Sequence, residues 1–369
     1  MRNKEFYMKR AIRLAKRGQG RTSPNPLVGA VIVKDGRIIS EGYHKKAGMP
    51  HAEIEALRAA GEGAKGADLY VNLEPCNHFG RTPPCTKAII EAGISRVFVG
   101  MRDPNPHVKG GGIERLKLHG IKVEVGILEE ECRRLNEVFI KYITKNIPFV
   151  ILKLAASLDG KIALANGESK WITNEQSRRF VHRLRDRVDA VLVGIGTVLK
   201  DNPRLTARLP GAKDPIRVIL DTHLRIPLTA RVLNVESAAK TIIVTGPEAS
   251  VEKIKKIEER GGYVIQTKIK NGLIDLNELL LKLGKMEITS ILVEGGSKVA
   301  ASFLKEKLVD KFYFFYAPKI IGGNHSISMI CGNDITSMKE AIPLREVKLR
   351  RFGEDILATG YVNLTNIIK

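Results

Sequence analysis

The residues best suited to chemistry stand close together early in the chain: His51-Ala52-Glu53, then Pro75-Cys76, then Cys85. One imidazole and two thiolates make three protein ligands for a tetrahedral zinc ion, and three ligands leave the fourth position to water, as a catalytic zinc requires. Such an ion lowers the pKa of its water to about 7, and a carboxylate outside the ligand set can then carry the proton from attacking water to leaving group. Glu53, two residues from His51, is the candidate for that role. Pro83-Pro84 directly precede Cys85 and suit a helix start, where freed N–H groups and partial positive charge favour a thiolate. The chemistry implied is hydrolysis at a metal centre. Two plainer readings compete with it: a closed structural zinc site with His78 as fourth ligand, or two unrelated buried cysteines.

The H-x-E…P-C…C arrangement is the signature of the zinc-dependent cytosine and adenine deaminases. Those enzymes usually place two residues between the cysteines, whereas here eight intervene, Asn77 to Pro84. The longer loop is informative in itself. EPCNHFGRTPPC, with SPNPLVGAVIV and GYHKKAGMPHAE, closely resembles the deaminase half of the bifunctional riboflavin-biosynthesis deaminase/reductase family. The resemblance implies zinc at His51, Cys76 and Cys85, with Glu53 as proton donor. It also implies that Asn25, His44, His78 and Arg81 contact the pyrimidine and ribose-phosphate of the substrate. Read alone, each of these four is as well explained as a loop or turn residue, and Asn25 before Pro26 is itself a turn signal.

Further along, no strand followed by G-x-G-x-x-G appears, so a Rossmann dinucleotide unit is unsupported. Gly194-Ile195-Gly196-Thr197 follows an apolar strand-like run, but Leu199 occupies the third glycine position. Glu294-Gly295-Gly296-Ser297 reads as a strand ending in glycines before a helix, where bare N–H groups favour an anion. In isolation it is equally a plain turn. Together with KLAASLDGKIA, ESKWIT, HRLRDRVDAVLVGIGTVLKDNPRLTAR and VEGG, these segments resemble the reductase half of the same family, so the resemblance spans essentially the whole chain. It implies NADPH as hydride donor, contacted by Ala155, Trp171, Thr197, Asp201, Gly295 and Gly296. Ser169, Arg185, Leu205, Arg208 and Glu294 would hold the substrate. Arg185 and Arg208 make sense as phosphate clamps, because a guanidinium fork matches phosphate oxygens. Without the surrounding motifs they would read as solvated surface arginines, and Trp171 as a core residue.

These residues need a scaffold, and the hydrophobic pattern supplies one. Strand-like runs at 28–33 and 38–41 flank an Asp35-Gly36 hairpin signal, and others follow at 69–73, 97–100 and 122–125. Helical stretches fall at 51–60, 84–93 and 113–119, with a closing helix over 129–145 that Asn146-Ile147-Pro148 ends. A second α/β region restarts with an apolar run at 149–156, a helix over 174–187 and strands at 190–194, 217–221, 241–245 and 290–294. Two domains follow, 1–146 and 147–369. The resemblance implies a cytidine-deaminase-like three-layer α/β/α fold for the first and a dihydrofolate-reductase-like α/β fold for the second.

Length and composition agree with this reading. The chain has 369 residues, 43% hydrophobic and 27% charged, which excludes disordered, collagen-like and disulfide-stapled classes. No apolar run approaches the roughly 18 residues needed to span a bilayer. The basic opening MRNKEFYMKRAIRLAKRG lacks the apolar core of a secretory signal and reads as an ordinary first helix. Four cysteines, Cys76, Cys85, Cys132 and Cys331, imply a reducing, cytoplasmic setting. The net charge of +21 is spread over both parts, so it says little about a nucleic-acid footprint and would equally suit phosphorylated small molecules, which the resemblance identifies as phosphorylated aminopyrimidines. The expected assembly is a homo-oligomer without nucleic-acid or membrane partners. The alternative from another class is a nucleic-acid-editing zinc deaminase with an appended binding domain. A metal-stabilised binding protein without activity is a third.

Overall fold

A computed structural model describes residues 3–78, 83–106, 111–332 and 334–362. It divides into two compact units, the first closing at Asn146 and the second opening at Ile147.

The first unit begins with α1 (Lys4–Ala15), whose Asn3 cap accepts from the Phe6 N–H and whose apolar face buries Tyr7, Met8, Ala11 and Ile12. The hairpin of β1 (Gly29–Lys34) and β2 (Arg37–Tyr43) turns at Asp35-Gly36, both with positive φ. After α2 (Ala52–Ala60) and β3 (Asp68–Leu73) come α3 (Cys85–Glu91), β4 (Arg96–Met101), α4 (Gly112–Leu118) and β5 (Lys122–Val125). The strand order is β2-β1-β3-β4-β5, with β1 antiparallel to β2 and β3, and β3, β4 and β5 parallel. Both faces are covered, and two glycines show how closely. A Cβ on Gly29 would lie 2.1 Å from the Ala11 carbonyl of α1, and one on Gly42 would lie 2.3 Å from the Ala52 carbonyl of α2. Gly42 pairs with Ala30, the neighbour of Gly29, so the two glycines point to opposite faces and α1 and α2 form separate layers.

One expectation is corrected here. The stretch 129–145 is two helices, α5 (Glu129–Leu135) and α6 (Glu137–Lys145), broken at Asn136 with φ −104° and ψ 20°. Its side chain bonds the backbone of Leu27, a tertiary reason that no local periodicity carries.

The second unit is built on a nine-stranded sheet. In chain order its elements are β6 (Phe149–Ser157), β7 (Lys161–Ala163), α7 (Glu175–Arg187), β8 (Ala190–Gly194), α8 (Ile195–Asp201), β9 (Ile216–Leu220), β10 (Thr241–Thr245), α9 (Val251–Glu258) and β11 (Gly262–Gln266). A two-stranded ribbon, β12 (Ile269–Lys270) and β13 (Leu273–Ile274), leads into α10 (Leu276–Lys285), β14 (Ser290–Gly295), α11 (Ser297–Lys305), β15 (Lys311–Ala317), β16 (Ile327–Ser328), β17 (Arg345–Phe352) and β18 (Asp355–Tyr361). The order is β11-β10-β9-β8-β14-β6-β15-β18-β17. It is parallel from β11 to β15, and the closing β17–β18 hairpin runs antiparallel. Alternate residues of the central strands feed separate cores. Leu152, Leu192, Val218 and Val293 pack with Leu279, Leu283 and Phe303 of α10 and α11, whereas Val191, Val193, Ile219 and Ile243 pack with Val198 and Ile257 of α8 and α9. Ligands of open parallel sheets bind beyond the carboxyl ends of such strands. Gly194, Glu294 and Gly295 stand there.

Candidate active sites

In the first unit the three metal-ligand candidates come from helix starts and a strand end. His51 is the N-cap of α2, Cys85 opens α3, and Cys76 follows β3. Their ligand atoms all lie within 4.8 Å of one another. The His51 Nδ1 is 3.3 Å from the Cys85 sulfur and 3.5 Å from that of Cys76. The Cys85 backbone N–H donates to the Cys76 sulfur at 3.3 Å. Hydrogen bonds from Cys85, from His51 and from that N–H hold the Cys76 thiol down to about 4, while the hydrogen bond to Cys76, burial and the charges on Glu53 and Cys76 push Cys85 up. The pair thus shares a proton, which would be released if both sulfurs bound a divalent ion. An imidazole and two soft sulfurs at this spacing suit zinc. His78 is exposed and outside the cluster, so among the described residues the site offers three candidate ligands, the number that leaves a fourth position open.

Glu53 sits in the first turn of α2 with 3% of its surface exposed. Burial and the nearby Cys76 push its carboxyl up to about 7. His44 makes edge contact with His51, ring centroids 5.5 Å apart. Its Nδ1–H donates to the Pro50 carbonyl at 3.1 Å, which fixes Nε2 as acceptor for the Asn25 amide at 3.1 Å. Asn25 and His44 are therefore gathered at the cluster. Arg81 lies outside the described residues.

Sequence reasoning missed the groups that hold this arrangement. Asn72, fully buried in β3, accepts from the Gly29 N–H at 2.8 Å and donates to the Leu27 carbonyl at 2.9 Å. Asn136 clamps the same residue by accepting from its N–H at 2.8 Å. Glu74 accepts from the N–H groups of Asp103 and Ile113, and a Cβ on Gly112 would lie 2.1 Å from the Pro75 carbonyl. The one available signal was a lone asparagine inside the apolar run LYVNL.

In the second unit Glu294, at the end of β14, accepts from Arg185 of α7 through Nε at 2.6 Å and Nη2 at 3.0 Å. The third guanidinium nitrogen donates to the Thr206 carbonyl at 2.9 Å. Arg185 is buried, not a solvated surface residue. The pair keeps the Glu294 carboxyl below its ordinary range despite burial. Leu205 and Arg208, flanking Thr206 and Ala207, both have positive φ, 56° and 53°. Such backbone costs about 1–3 kcal/mol per residue and clusters at binding sites. Lys153 of β6 and His182 of α7, neither singled out in the sequence, share the field of this pair.

The cofactor candidates fall around the same sheet end. A Cβ on Gly295 would lie 2.9 Å from the Thr197 hydroxyl, and Gly296 has φ +75°, so the turn is a bare backbone cradle before α11. That shape and its free N–H groups fit a nucleotide phosphate. Ser169 and Asp201 line one cavity of about 340 Å³ together with Lys170 and Lys200. Trp171 is 61% exposed beneath the Arg178 guanidinium, which sets aside its core reading. Ala155 stands two residues beyond Lys153 on the same face of β6 and pairs with Phe315.

Fold and sites together define a two-domain enzyme, a zinc-binding pyrimidine deaminase joined to an NADPH-type reductase. Residues 1–101 match the cytidine and deoxycytidylate deaminase zinc-binding region, and residues 148–358 match the RibD C-terminal domain. The chain belongs to the riboflavin biosynthesis protein RibD family. It is 51% identical over 352 residues to the Aquifex aeolicus riboflavin biosynthesis protein RibD, covering 95% of this chain and 96% of that one. A solved Thermotoga maritima diaminohydroxyphosphoribosylaminopyrimidine deaminase/5-amino-6-(5-phosphoribosylamino)uracil reductase superposes with a TM-score of 0.85 at 44% identity, over 97% of this chain and 98% of that one. Acinetobacter baumannii RibD gives 0.88 at 39% identity, over 97% and 98%. A reductase domain thus stands where an editing deaminase would carry a nucleic-acid-binding module. Among the described residues no helix is long and apolar enough to cross a membrane.

Proposed function

We propose that the chain performs two consecutive steps, with the deaminase assigned to 1–146 and the reductase to 147–369. It is a bifunctional riboflavin-biosynthesis enzyme, hydrolase and oxidoreductase, using zinc and NADPH. The first substrate in this reading is 2,5-diamino-6-(5-phosphoribosylamino)pyrimidin-4-one, and the second is its deaminated product, 5-amino-6-(5-phosphoribosylamino)uracil. When bound, zinc supplies Lewis acidity toward water, and NADPH supplies a hydride.

The observation that carries the first step is the buried Glu53 beside the three-ligand cluster. His51, Cys76 and Cys85 would hold the metal. Glu53 takes the proton of the attacking water and delivers it to the exocyclic amine, which leaves as ammonia. Asn25 and His44, locked to each other, orient the pyrimidine. His78 and Arg81 are assigned to the ribose-phosphate.

In the second step Glu294 and Arg185 fix the ribosyl end of the substrate, with Ser169, Leu205 and Arg208 around its phosphate. Ala155, Trp171, Thr197, Asp201, Gly295 and Gly296 are assigned to the cofactor. A homo-oligomer fits the exposed apolar side chains Val347 and Leu349 on β17, the last strand of the sheet among the described residues, since a sheet edge can pair with a partner strand. The four free cysteines support a cytoplasmic setting.

The test supplies the phosphorylated diaminopyrimidine and NADPH to the zinc-loaded chain. Ammonia release followed by NADPH oxidation is expected. Neither signal on this substrate would reject the reading.

A further inference from the structure

His182 lies one turn before Arg185 on α7, so the two side chains share a helix face. Arg185 reaches the Thr206 carbonyl, and the His182 ring lies against that same carbonyl within the field of Arg208. Its Nδ1 is enclosed by protein yet has no hydrogen-bond partner among the described residues. Enclosed polar atoms are nearly always paired, so an orphan beside two guanidiniums marks a place that a ligand completes.

The surrounding charges indicate the ligand. The charges acting on His182 are those of Arg185 on its own helix, Arg208 from the segment after Thr206, and Glu294 from β14. Arg204 adds to the field at Arg208, Asp214 to that at Arg185, and Lys153 of β6 to that at Glu294. Cations outnumber carboxylates, as a dianion site requires.

We propose that His182 is a further positioning residue for the phosphate-bearing end of the reductase substrate, acting beside Arg185 and Arg208. The inference rests on the reductase reading above. Burial and the two guanidiniums hold the free imidazole down to about 4, hence neutral near pH 7. A dianionic phosphate between Arg185 and Arg208 cancels their repulsion. The ring then takes one proton from solvent and donates an N–H to a phosphate oxygen, with no bond to carbon formed or broken.

The experiment compares wild type, His182→Gln and His182→Phe on 5-amino-6-(5-phosphoribosylamino)uracil and on its dephosphorylated counterpart, at saturating NADPH. Calorimetry of the phosphorylated uracil in two buffers of different ionisation enthalpy counts protons taken up. His182→Phe should raise KM for the phosphorylated substrate about tenfold, with kcat within about twofold and no change on the dephosphorylated one. His182→Gln, which keeps a donor, should recover part of that loss and guards against a folding defect in the Phe variant. Wild type alone should take up a proton. An unchanged KM, equal losses on both substrates, or equal proton uptake in wild type and His182→Gln would overturn the inference while leaving the reductase reading intact. No NADPH oxidation by wild type would remove both.

Discussion

The backbone N–H of Cys85, the first residue of α3, donates to the sulfur of Cys76 at 3.3 Å. The helix start therefore stabilises the other thiolate of the pair, because its N–H points at Cys76 rather than at its own side chain. Both sulfurs are prepared for one ion by a contact that depends on where α3 begins.

Cys76→Ser and Cys85→Ser should each lose tightly held zinc. Elemental analysis after dialysis against a chelator measures this directly. Because the ligands come from separated segments, zinc loss should also lower the melting temperature of the first domain. Full zinc retention in both variants contradicts the ligand assignment.

Arg208→Ala would remove the proposed charge-assisted contact to phosphate, worth about 1.5–3 kcal/mol, so KM for the reductase substrate should rise while NADPH affinity stays unchanged. Fluorescence titration with NADPH provides the control. Lost NADPH binding with intact substrate affinity would move Arg208 to the cofactor side of the site.

The clustering of His51, Cys76 and Cys85 was legible because each candidate ligand sits in a short local motif and Pro83-Pro84 announces the helix that carries Cys85. The runs at 122–125, 190–194 and 241–245 match the observed strands residue for residue, since the polar–apolar alternation of KVEV and the continuous apolar or β-branched stretches of the other two have few other folds open to them. What the pattern hid depends on distant partners. Asn136 breaks a helix by bonding to Leu27, 109 residues away. β17 is largely exposed along Arg345–Phe352, and its short Val347–Arg350 alternation sits among charged residues that give no sign of a buried face. Lys153 and His182 read as ordinary residues of a strand and a helix until the sheet brings Glu294 beside them.

Glu294→Gln keeps the shape of the Arg185 contact but removes its charge, leaving a buried guanidinium without its counter-ion. Destabilisation of about 3 kcal/mol is expected at neutral pH, read from urea melts. The folded-state pKa of Glu294 lies below its ordinary value of 4.5, so its stabilising contribution is present above that value and is lost as pH falls through the lower one. The difference between variant and wild type should therefore shrink in acid. A gap that widens as pH drops contradicts the assignment.

Asn72→Ala strips the Gly29 N–H and the Leu27 carbonyl of buried partners, at a cost of about 1–3 kcal/mol. The loosened Leu27 segment also carries Asn25, so KM for deamination should rise. Wild-type stability and KM together would show that Asn72 positions nothing.

In the proposed reading one chain deaminates at a site worked by Glu53 and reduces at another. Glu53→Gln keeps the side chain's size while removing its basicity. The decisive measurement follows NADPH oxidation by this zinc-loaded variant on each substrate separately. With the diaminopyrimidine, ammonia release and the NADPH oxidation that depends on it should fall by at least about 10²-fold. With the deaminated uracil, NADPH oxidation should match wild type. Near-wild-type deamination by the variant, or equal loss on both substrates, would contradict the account.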